Sequence, residues 1–281
     1  MRLFSGVLAT GLLLGGCSGA EDAGSAEPGR SGATGARPTT ASGDTRSDPS
    51  SGSSTRPSPA PSASPTGLDF TPDPDRAPKT RAQALRLARA ITATPVNWGP
   101  GYVKRSPYES DPGSWPVLDT DCVWQREPLP ATVLASLARN SELPAADGKG
   151  PIRVTAVVTV HRTVEEAAWE MAGTLEEALR CPDQQLRRGE RITGLASQGA
   201  DYGLLGNFAA EDTLTESGTY SSDELGGPHY YYWVQSRMAQ VTVAVVGKGS
   251  EGRTDKDVDA ALLQGVGQML SSVENELEAS P

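Results

Sequence analysis

Three stretches of the chain carry the hydrophobic pattern of β-strands. Residues 152–161 (IRVTAVVTVH) are β-branched at most positions and predict a strand. Residues 229–237 (HYYYWVQSR) and 240–249 (QVTVAVVGKG) are rich in aromatic and β-branched side chains and predict two more strands. Their short separation predicts an antiparallel hairpin that turns near Met238 and Ala239.

Three other segments place apolar residues at the spacing of an α-helix. Residues 79–92 are rich in helix-forming side chains. A second helix begins at Thr163, which forms a capping box with Glu166, and ends before Pro182. A third helix has Thr254 as its N-cap. The apolar residues expected on one face are Leu85, Ala88 and Ile91 in the first helix; Val164, Ala167, Ala168, Met171, Leu175, Ala178 and Leu179 in the second; and Val258, Leu262, Val266, Met269, Leu270, Val273 and Leu277 in the third.

The remaining segments are interrupted by proline and glycine. Residues 94–122 predict a loop with short extended pieces, and a strand is expected to start at Cys122. Residues 132–141 fit either a strand or a helical turn, residues 191–197 a weaker strand, and residues 201–228 one or two strands. Because strands and helices follow without a repeated βαβ order, we predict an α+β fold, a mainly antiparallel sheet with two or three helices packed on it.

The first residues have the layout of a secretory signal peptide. Arg2 is followed by an apolar run over residues 3–14 and then by small residues. The run is shorter than the about 20 apolar residues that a membrane-spanning helix needs. We therefore expect residues 1–16 to direct export and to be absent from the mature protein.

The end of this run resembles the lipobox of bacterial lipoproteins, since Leu14, Gly15 and Gly16 directly precede Cys17. The resemblance implies that the leader is cut before Cys17, that its sulfur receives a diacylglyceryl group and that the new N-terminus is acylated. Two or more acyl chains hold a protein stably on a membrane. The implied partner is the cell membrane, bound through the N-terminal lipid on its extracytoplasmic face. The alternative is an ordinary secreted protein whose apolar run happens to end in cysteine.

Residues 17–78 predict a disordered tether. In residues 18–67 the only apolar side chains besides proline are alanines, among Ser, Gly and Thr, and such a segment cannot bury enough apolar surface to become ordered. About 50 such residues average about 40 Å from end to end. The proline-rich residues 71–78 are expected to end the tether along the edge of a single domain formed by residues 79–281.

The chain contains three cysteines, and lipidation of Cys17 leaves Cys122 and Cys181 as a pair. In an exported protein such a pair predicts one disulfide. Closing a loop of about 60 residues restrains the unfolded chain by about 4 kcal/mol. The alternative is two separate buried thiols. Neither cysteine has another cysteine or a histidine at ligand spacing, so we expect no metal site there.

The net charge of −10 argues against nucleic acid as a partner. His161 and His229 are the only histidines, and the chain lacks the G-x-S-x-G, H-E-x-x-H and C-x-x-C motifs. We therefore expect no cofactor and no enzymatic activity. Residues 247–250 (GKGS) end like a phosphate loop but lack its first glycine, and we predict a turn there.

Asp255, Asp257 and Asp259 have the alternate spacing of a calcium loop. The glycine of that motif is replaced by Ala260 and its closing glutamate by Val266. Carboxylates at the start of a helix are stabilised by the positive end of the helix dipole. We therefore assign these residues to a helix start and predict no metal.

The most unusual local cluster is the aromatic run HYYYW. On a strand His229, Tyr231 and Trp233 share one face, and Tyr230 and Tyr232 share the other. One face must be buried, and the face with His229, Tyr231 and Trp233 is a candidate ligand platform. The alternative is that the aromatic residues fill the core of a domain that is short of phenylalanine.

The order of these features resembles the extracellular sensor-like domain of actinobacterial receptor Ser/Thr kinases, a module also found on lipoproteins. Over residues 80–278, Cys122 is followed by a long span, the strand at residues 152–161, a helix ending at Cys181, the hairpin and a closing helix. The resemblance implies an α+β domain braced by disulfides, with a cleft that receives a ligand. Members with two disulfides exist, whereas only one can form here.

Three hypotheses for function follow. The first is a lipid-anchored, extracytoplasmic binding or sensor-like protein that is not an enzyme and whose partner is a small ligand or an envelope protein. The second is a cell-envelope hydrolase that uses carboxylates, which requires two acidic residues in a cleft with separated pKa values. The third is a structural or assembly partner, which predicts an exposed apolar patch and no pocket. The aromatic strand distinguishes binding from scaffolding, because a lined pocket favours binding.

Overall fold

The computed structural model describes residues 68–197 and 210–279, and within them the chain forms ten strands and three α-helices. The helices are α1 (Arg81–Ile91), α2 (Val164–Arg180) and α3 (Asp255–Leu277), and a short 3-10 helix spans Pro95–Trp98. The strands are β1 (Val103–Glu109), β2 (Ser114–Leu118), β3 (Trp124–Pro128), β4 (Val133–Leu143), β5 (Ile152–His161), β6 (Gln184–Arg187), β7 (Glu190–Ser197), β8 (Asp212–Ser222), β9 (Gly226–Met238) and β10 (Val241–Lys248).

Eight strands form one antiparallel sheet in the order β1-β4-β5-β10-β9-β8-β7-β6. Strands β2 and β3 pair with each other as a separate hairpin. The β9–β10 hairpin turns where predicted, since Met238 pairs with Val241 and Ala239 has a φ of 49°. These elements confirm the predicted α+β fold with a mainly antiparallel sheet.

One face of the large sheet, here called the helix face, packs against α1 and α3. Successive side chains of a strand point to opposite faces. On β10 the side chains of Val241, Val243 and Val245 point to the helix face, and each is at most 1% exposed. All seven residues predicted on the inner side of α3 are buried. The helix face therefore holds the main hydrophobic core of the domain.

The start of α3 is formed as the sequence predicts. The backbone N–H of Asp257 donates to Oγ1 of Thr254 at 3.2 Å, and the backbone N–H of Thr254 donates to the Asp257 carboxylate at 2.9 Å. Asp259 accepts a hydrogen bond from the Tyr230 hydroxyl at 3.0 Å. These acidic residues therefore belong to the helix start and its contact with the sheet.

The glycine-rich segment after β10 differs from the prediction. Gly247 and Lys248 are the last residues of β10, so the turn begins only at Gly249. The longer run GKGSEG also has the G-x-G-x-x-G spacing of dinucleotide-binding loops, but it follows an antiparallel strand rather than the strand of a βαβ unit. Packing explains Gly247, because a methyl group there would lie 2.3 Å from Cγ1 of Val258 in α3.

The opposite face of the sheet, here called the cavity face, is covered by α2 and by the β2–β3 hairpin. Cys122, just before β3, and Cys181, at the end of α2, form the predicted disulfide with their Cα atoms 5.6 Å apart. The backbone N–H of Gln185 donates to the carbonyl oxygen of Cys122 at 2.9 Å. The disulfide therefore joins the hairpin, α2 and β6 at one point.

The apolar stripe predicted for α2 is only partly buried. Ala167, Met171 and Ala178 are buried, whereas Leu179 and Val164 are 74% and 49% exposed. The apolar arc of this helix is wider than the contact it makes, because α2 rests on the cavity face along one narrow side. Its outer side therefore remains apolar and open to solvent.

The irregular segments are only partly as predicted. The short extended pieces expected in residues 94–122 are strands β1 and β2, and the segment also contains the 3-10 helix. The strand expected at Cys122 starts at Trp124, because Cys122 lies in a turn with a φ of 60°. Residues 132–141, which fit either a strand or a helical turn, belong mostly to β4.

The segment before α1 lies along the end of α3. The backbone N–H of Asp73 donates to the carbonyl oxygen of Leu277 at 2.8 Å, and that of Ala279 donates to Thr71 at 2.9 Å. This agrees with the expectation that the proline-rich segment runs along the edge of the domain. Within residues 68–197 and 210–279, no helix is both long and apolar enough to cross a membrane.

Candidate ligand-binding cavity

A cavity of about 360 Å³ lies between the cavity face of the sheet, α2 and the β2–β3 hairpin. This volume is at the lower end of the range of about 300–1,000 Å³ typical of small-molecule sites. Its floor consists of alternate residues of β4, β5, β10 and β9, among them Ala138, Val157, Ala244 and Val246. Side chains alternate between the two faces along each strand. The alternation that buries valines under α3 therefore also places this second set of residues under α2.

Four aromatic side chains line the cavity. Trp115 and Trp124 come from the β2–β3 hairpin, and Tyr231 and Trp233 come from β9. The Trp124 indole N–H donates to Oε1 of Gln184 at 2.8 Å, which fixes that ring in the wall. Aromatic rings on two sides provide apolar surface and π faces for a ligand.

Three glutamates also line the cavity. Glu170 and Glu177 lie seven residues apart on α2 and therefore on the same side of the helix. Glu216 comes from β8, directly opposite Trp233 of β9. Directly opposed residues on neighbouring strands have Cβ atoms about 5 Å apart. The Glu216 carboxylate is thus placed beside an aromatic wall residue.

Burial raises the pKa of Glu216 to about 7, and the one opposing influence is a hydrogen bond from Oγ of Ser197 at 3.0 Å. Burial likewise raises the pKa of Glu177 to about 7. Arg180 opposes that rise, and repulsion from Glu216 and other neighbouring carboxylates adds to it. Both carboxyl groups therefore exchange protons near neutral pH.

Glu170 is held differently from the other two glutamates. Its Oε2 accepts a hydrogen bond from Oγ1 of Thr242 at 2.5 Å and lies 2.6 Å from Nε2 of His161. His161 ends β5 and is 3% exposed. These contacts satisfy the Glu170 carboxylate within the protein.

Lys248, at one end of the cavity floor, is already neutralised. Its Nζ donates to Oε1 of Glu190 at 2.9 Å, and the same oxygen accepts from the Tyr220 hydroxyl at 2.5 Å. Burial lowers the pKa of Lys248, although the Glu190 carboxylate opposes that change. Arg126, at the rim, is exposed and donates to Oγ of Ser114 at 3.3 Å. Neither cation contacts Glu177 or Glu216 within ion-pair distance.

Two polar atoms at the floor have no hydrogen-bond partner among the described residues, Nε1 of Trp233 and Oε1 of Gln235. Gln235 is 2% exposed, and both side chains line the cavity. They are two residues apart on β9 and therefore share one face. Buried polar groups are usually paired, so the cavity contains one donor and one acceptor in need of partners.

The structure separates the residues of the predicted platform. Tyr231 and Trp233 line the cavity, but His229 does not. His229 lies beyond the last β9–β10 pair, Tyr231 with Lys248, and its Nε2 hydrogen-bonds the carbonyl oxygen of Leu225 at 2.8 Å. The expectation that His229 shares a surface with the other two is therefore corrected, because the cavity closes before the strand reaches it.

The other side of the aromatic run belongs to the core. Tyr230 and Tyr232 stack with ring centroids 5.8 Å apart and contact the helix-face core. Tyr230 and Tyr232 therefore fill the core, as the alternative interpretation expects, and a ligand platform on the other face of β9 stays a prediction. Cys17, Leu14, Gly15 and Gly16 lie outside the described residues.

Several cavity residues were not singled out from the sequence. Trp115 and Trp124 lie in segments predicted as loop and strand start, and Glu216 in a segment with no clear pattern. Gln235 offered a signal, because an amide follows Trp233 on the same face of a strongly apolar strand. Glu170 and Glu177 also share a helix side, but helix periodicity does not reveal what faces that side.

No family model and no curated protein matches this chain significantly. The structure is similar to the crystal structure of the extracellular domain of PknH from Mycobacterium tuberculosis, with a TM-score of 0.43 and 12% sequence identity. That similarity covers 66% of this chain and 96% of the other. At this TM-score the similarity carries no argument about the family or the function of this chain.

Proposed function

We propose that this chain is a lipid-anchored, extracytoplasmic binding protein of the sensor-like kind, that it is not an enzyme, and that its cavity holds a small ligand. One observation carries the proposal: an aromatic-walled cavity of about 360 Å³ has a donor of Trp233 and an acceptor of Gln235 at its floor, both unpaired among the described residues. A ligand would supply the missing hydrogen bonds and cover the apolar wall.

The proposed location rests on the N-terminal motif and on the disulfide. The motif Leu14 to Cys17 resembles a lipobox, and the disulfide between Cys122 and Cys181 is of the kind that persists in oxidising compartments. Incorporation of a fatty-acid analogue should label the wild type and a Cys122→Ser control, and it should not label Cys17→Ser. Equal labelling of all three proteins would contradict the anchor.

Filling the cavity tests the binding function. Ala244 is 4% exposed at the floor, and Ala244→Phe would place a ring where a ligand is expected. Ala168→Phe, on the exposed side of α2, is the matched control. Small aromatic and aliphatic compounds that raise the melting temperature of the wild-type full chain should act on the control and not on Ala244→Phe. The proposal fails if Ala244→Phe, folded, responds to the same compounds as the wild type.

A carboxylate hydrolase is the second candidate, because Glu177 and Glu216 both face the cavity. An acid–base pair needs pKa values that differ, so that one group is protonated while the other is ionised. Here burial raises both pKa values to about 7, and we rank binding first on the aromatic walls and on the polar atoms that have no partner among the described residues. Turnover of ester, glycoside or peptide substrates that disappears in Glu216→Gln would reverse this preference.

A purely structural or assembly role is the third candidate. It is favoured by the exposed apolar side of α2, where Trp169 is 68% and Leu179 is 74% exposed. That hypothesis also predicts a domain without a pocket, and the cavity is inconsistent with it. We therefore rank an envelope partner below a small ligand.

A further inference from the structure

Among the described residues, the cavity contains more carboxyl groups than cations that are free to pair with them. The Glu177 carboxylate makes no hydrogen bond and no ion pair within 4 Å among the described residues, although Arg180 is close enough to act on it electrostatically. Glu216, which is 5% exposed, accepts only the neutral hydrogen bond from Ser197 in the described part of the chain. A buried carboxylate without a cation is costly. Among the described residues, these two carboxyl groups therefore have no counter-charge within ion-pair distance.

The cations nearest these groups are already engaged. Arg180 forms an ion pair with Glu176 at 3.0 Å and donates to the carbonyl oxygens of Asp119 and Leu118. Lys248 is paired with Glu190, which also binds Arg187. His161 contacts Glu170, and Arg126 is exposed at the rim. Of these cations only Arg126 is without an ion pair among the described residues, and none of them lies within 4 Å of the Glu177 or Glu216 carboxylate.

Cross-strand register places the carboxylate, the indole and the amide together. Glu216 on β8 lies opposite Trp233 on β9, which lies opposite Val246 on β10. Gln235, two residues further along β9, lies opposite Ala244. The cavity therefore presents a carboxylate, a π face and an amide oxygen to the same small volume. Gln235 is 2% exposed, and its Oε1 has no hydrogen-bond partner among the described residues. This atom is an independent sign that an N–H donor is missing.

We infer that the ligand is a small organic cation, an amine whose ammonium group lies beside Glu177 and Glu216 and whose apolar body lies against Trp233 and Tyr231. This inference rests on the proposed binding function and adds the charge class of the ligand. An ammonium group provides N–H donors for carboxylates and for Oε1 of Gln235. It is also attracted to the face of an indole ring.

A metal ion fits these residues less well. In the described ranges, no group of three or more His, Cys, Asp or Glu side chains is arranged to hold a metal ion. The aromatic walls formed by Trp115, Trp124, Tyr231 and Trp233 would remain uncovered by a bare ion. The volume of about 360 Å³ suits a molecule with one or two rings and an amine.

Charge recognition makes binding depend on pH. An ammonium group stabilises the ionised forms of Glu177 and Glu216, so binding near neutral pH displaces protons from them. The carboxyl groups that face them are Glu170 and Glu176 on α2, and the basic group is Arg180. Affinity for an amine should therefore rise with pH through about 7, as long as the amine itself stays protonated.

Matched probes test the inference on the ¹⁵N-labelled full chain. The probes are 2-phenylethylamine, 2-phenylethanol and 3-phenylpropionate, and the indole series tryptamine, tryptophol and indole-3-propionate. The indole N–H signal of Trp233 reports on the cavity, and that of the exposed Trp169 is the internal control. At pH 8 we expect each amine to bind about tenfold or more tightly than its alcohol, since it forms charge-assisted hydrogen bonds.

Variants separate charge from packing. Glu216→Gln should remove most of the amine preference and leave affinity for the alcohols unchanged. Glu176→Gln, whose side chain is 62% exposed on the same helix, is the matched control and should retain the preference. Alcohols or carboxylates that bind as tightly as the amines would overturn the inference and leave the proposed function intact. If no probe of any charge shifts the Trp233 signal, the inference and the proposed binding function both fail.

Discussion

The two faces of the large sheet are built from alternate residues of the same strands, yet they differ in character. On β10, Val243 points to the closed core under α3, and its neighbours Thr242 and Ala244 point to the cavity. The helix face is sealed by two helices. The cavity face is covered by one helix and one hairpin, joined by a disulfide, and it retains an open volume, carboxyl groups and polar atoms without a partner among the described residues. One side of the sheet stabilises the domain, and the other leaves room for a ligand.

The largest expected effect comes from removing the disulfide of the cavity face. Cys122 and Cys181 close a loop with a sequence separation of 59. The Cys122→Ala/Cys181→Ala protein should lose about 4 kcal/mol of the free energy of unfolding, because the unfolded chain gains conformational entropy. Urea denaturation of the wild type and the double variant measures this loss.

The same double variant tests whether the faces are independent. Amide hydrogen exchange should become faster in α2, β2 and β3, whereas α3 and β10 should show only the change due to global unfolding. If amide exchange on both faces became equally faster, by more than the change in global unfolding explains, the disulfide would support the whole sheet.

The next largest effect concerns the buried ion pair at the end of the cavity face. Glu190 is paired with Lys248, whose side chain is 19% exposed. Burial raises the pKa of Glu190, but the Lys248 charge and the hydrogen bonds from Lys248 and Tyr220 outweigh it and hold that pKa below its usual value. Glu190→Gln should lower the free energy of unfolding by about 3 kcal/mol at pH 7, because Lys248 stays buried without a counter-charge.

The pH dependence of this change has a defined sign. A depressed pKa contributes stability above the unfolded value near 4, and the contribution is lost as the pH falls through the folded value. The stabilities of Glu190→Gln and the wild type should therefore converge as the pH falls below about 4. The exposed pair is the control, since Glu176→Gln should change stability by less than about 0.5 kcal/mol. A uniform loss at all pH values would indicate packing rather than charge.

Two neighbouring residues of β5 compare the faces directly. Val158 is fully buried on the helix face, and Val157 lines the cavity. Val158→Ala should lower the free energy of unfolding by about 2–3 kcal/mol, because it removes buried methyl groups and leaves a void. Val157→Ala should cost less than about 1 kcal/mol, since its side chain already borders open space. Chemical denaturation of both variants would contradict the comparison if their losses were equal.

The last predicted effect has the opposite sign. Burial raises the pKa of Glu216 to about 7, whereas a glutamate in the unfolded chain titrates near pH 4.3. The folded state therefore binds more protons between these values, and stability falls as the pH rises from about 4 to about 7. Glu216→Gln removes the ionisation and should be more stable than the wild type at pH 8, by up to about 3–4 kcal/mol, because each pKa unit corresponds to about 1.4 kcal/mol.

Denaturation at pH 4, 6 and 8 measures the Glu216 effect. The wild type and Glu216→Gln should have nearly equal stability at pH 4 and diverge as the pH rises. Glu176→Gln should follow the wild type throughout. A variant less stable than the wild type at pH 8 would mean that the Glu216 charge already has a partner in the protein.

Prediction from the sequence is most accurate where the pattern of residues depends on a single helix or strand. The inner side of α3 and its cap at Thr254 follow from helical spacing and a local hydrogen bond, and both are found as expected. The stripe of α2 was predicted by the same rule and is only partly buried, because the extent of burial depends on what lies against the helix. Trp115 and Trp124 were not predicted as cavity residues, because the short β2–β3 hairpin forms through pairing of its two strands rather than through local propensity.

By itself, the sequence determined the kinds of elements, the hairpin at Ala239 and the two-sided character of the aromatic strand. Alternation along β9 ensures that Tyr231 and Trp233 share one side and Tyr232 the other, whatever surrounds them. Only the tertiary structure decided which side is sealed and which is hollow. That choice depends on contacts between residues distant in the chain, the packing of α3 on one face and the closure of α2 and the hairpin by Cys122–Cys181 on the other.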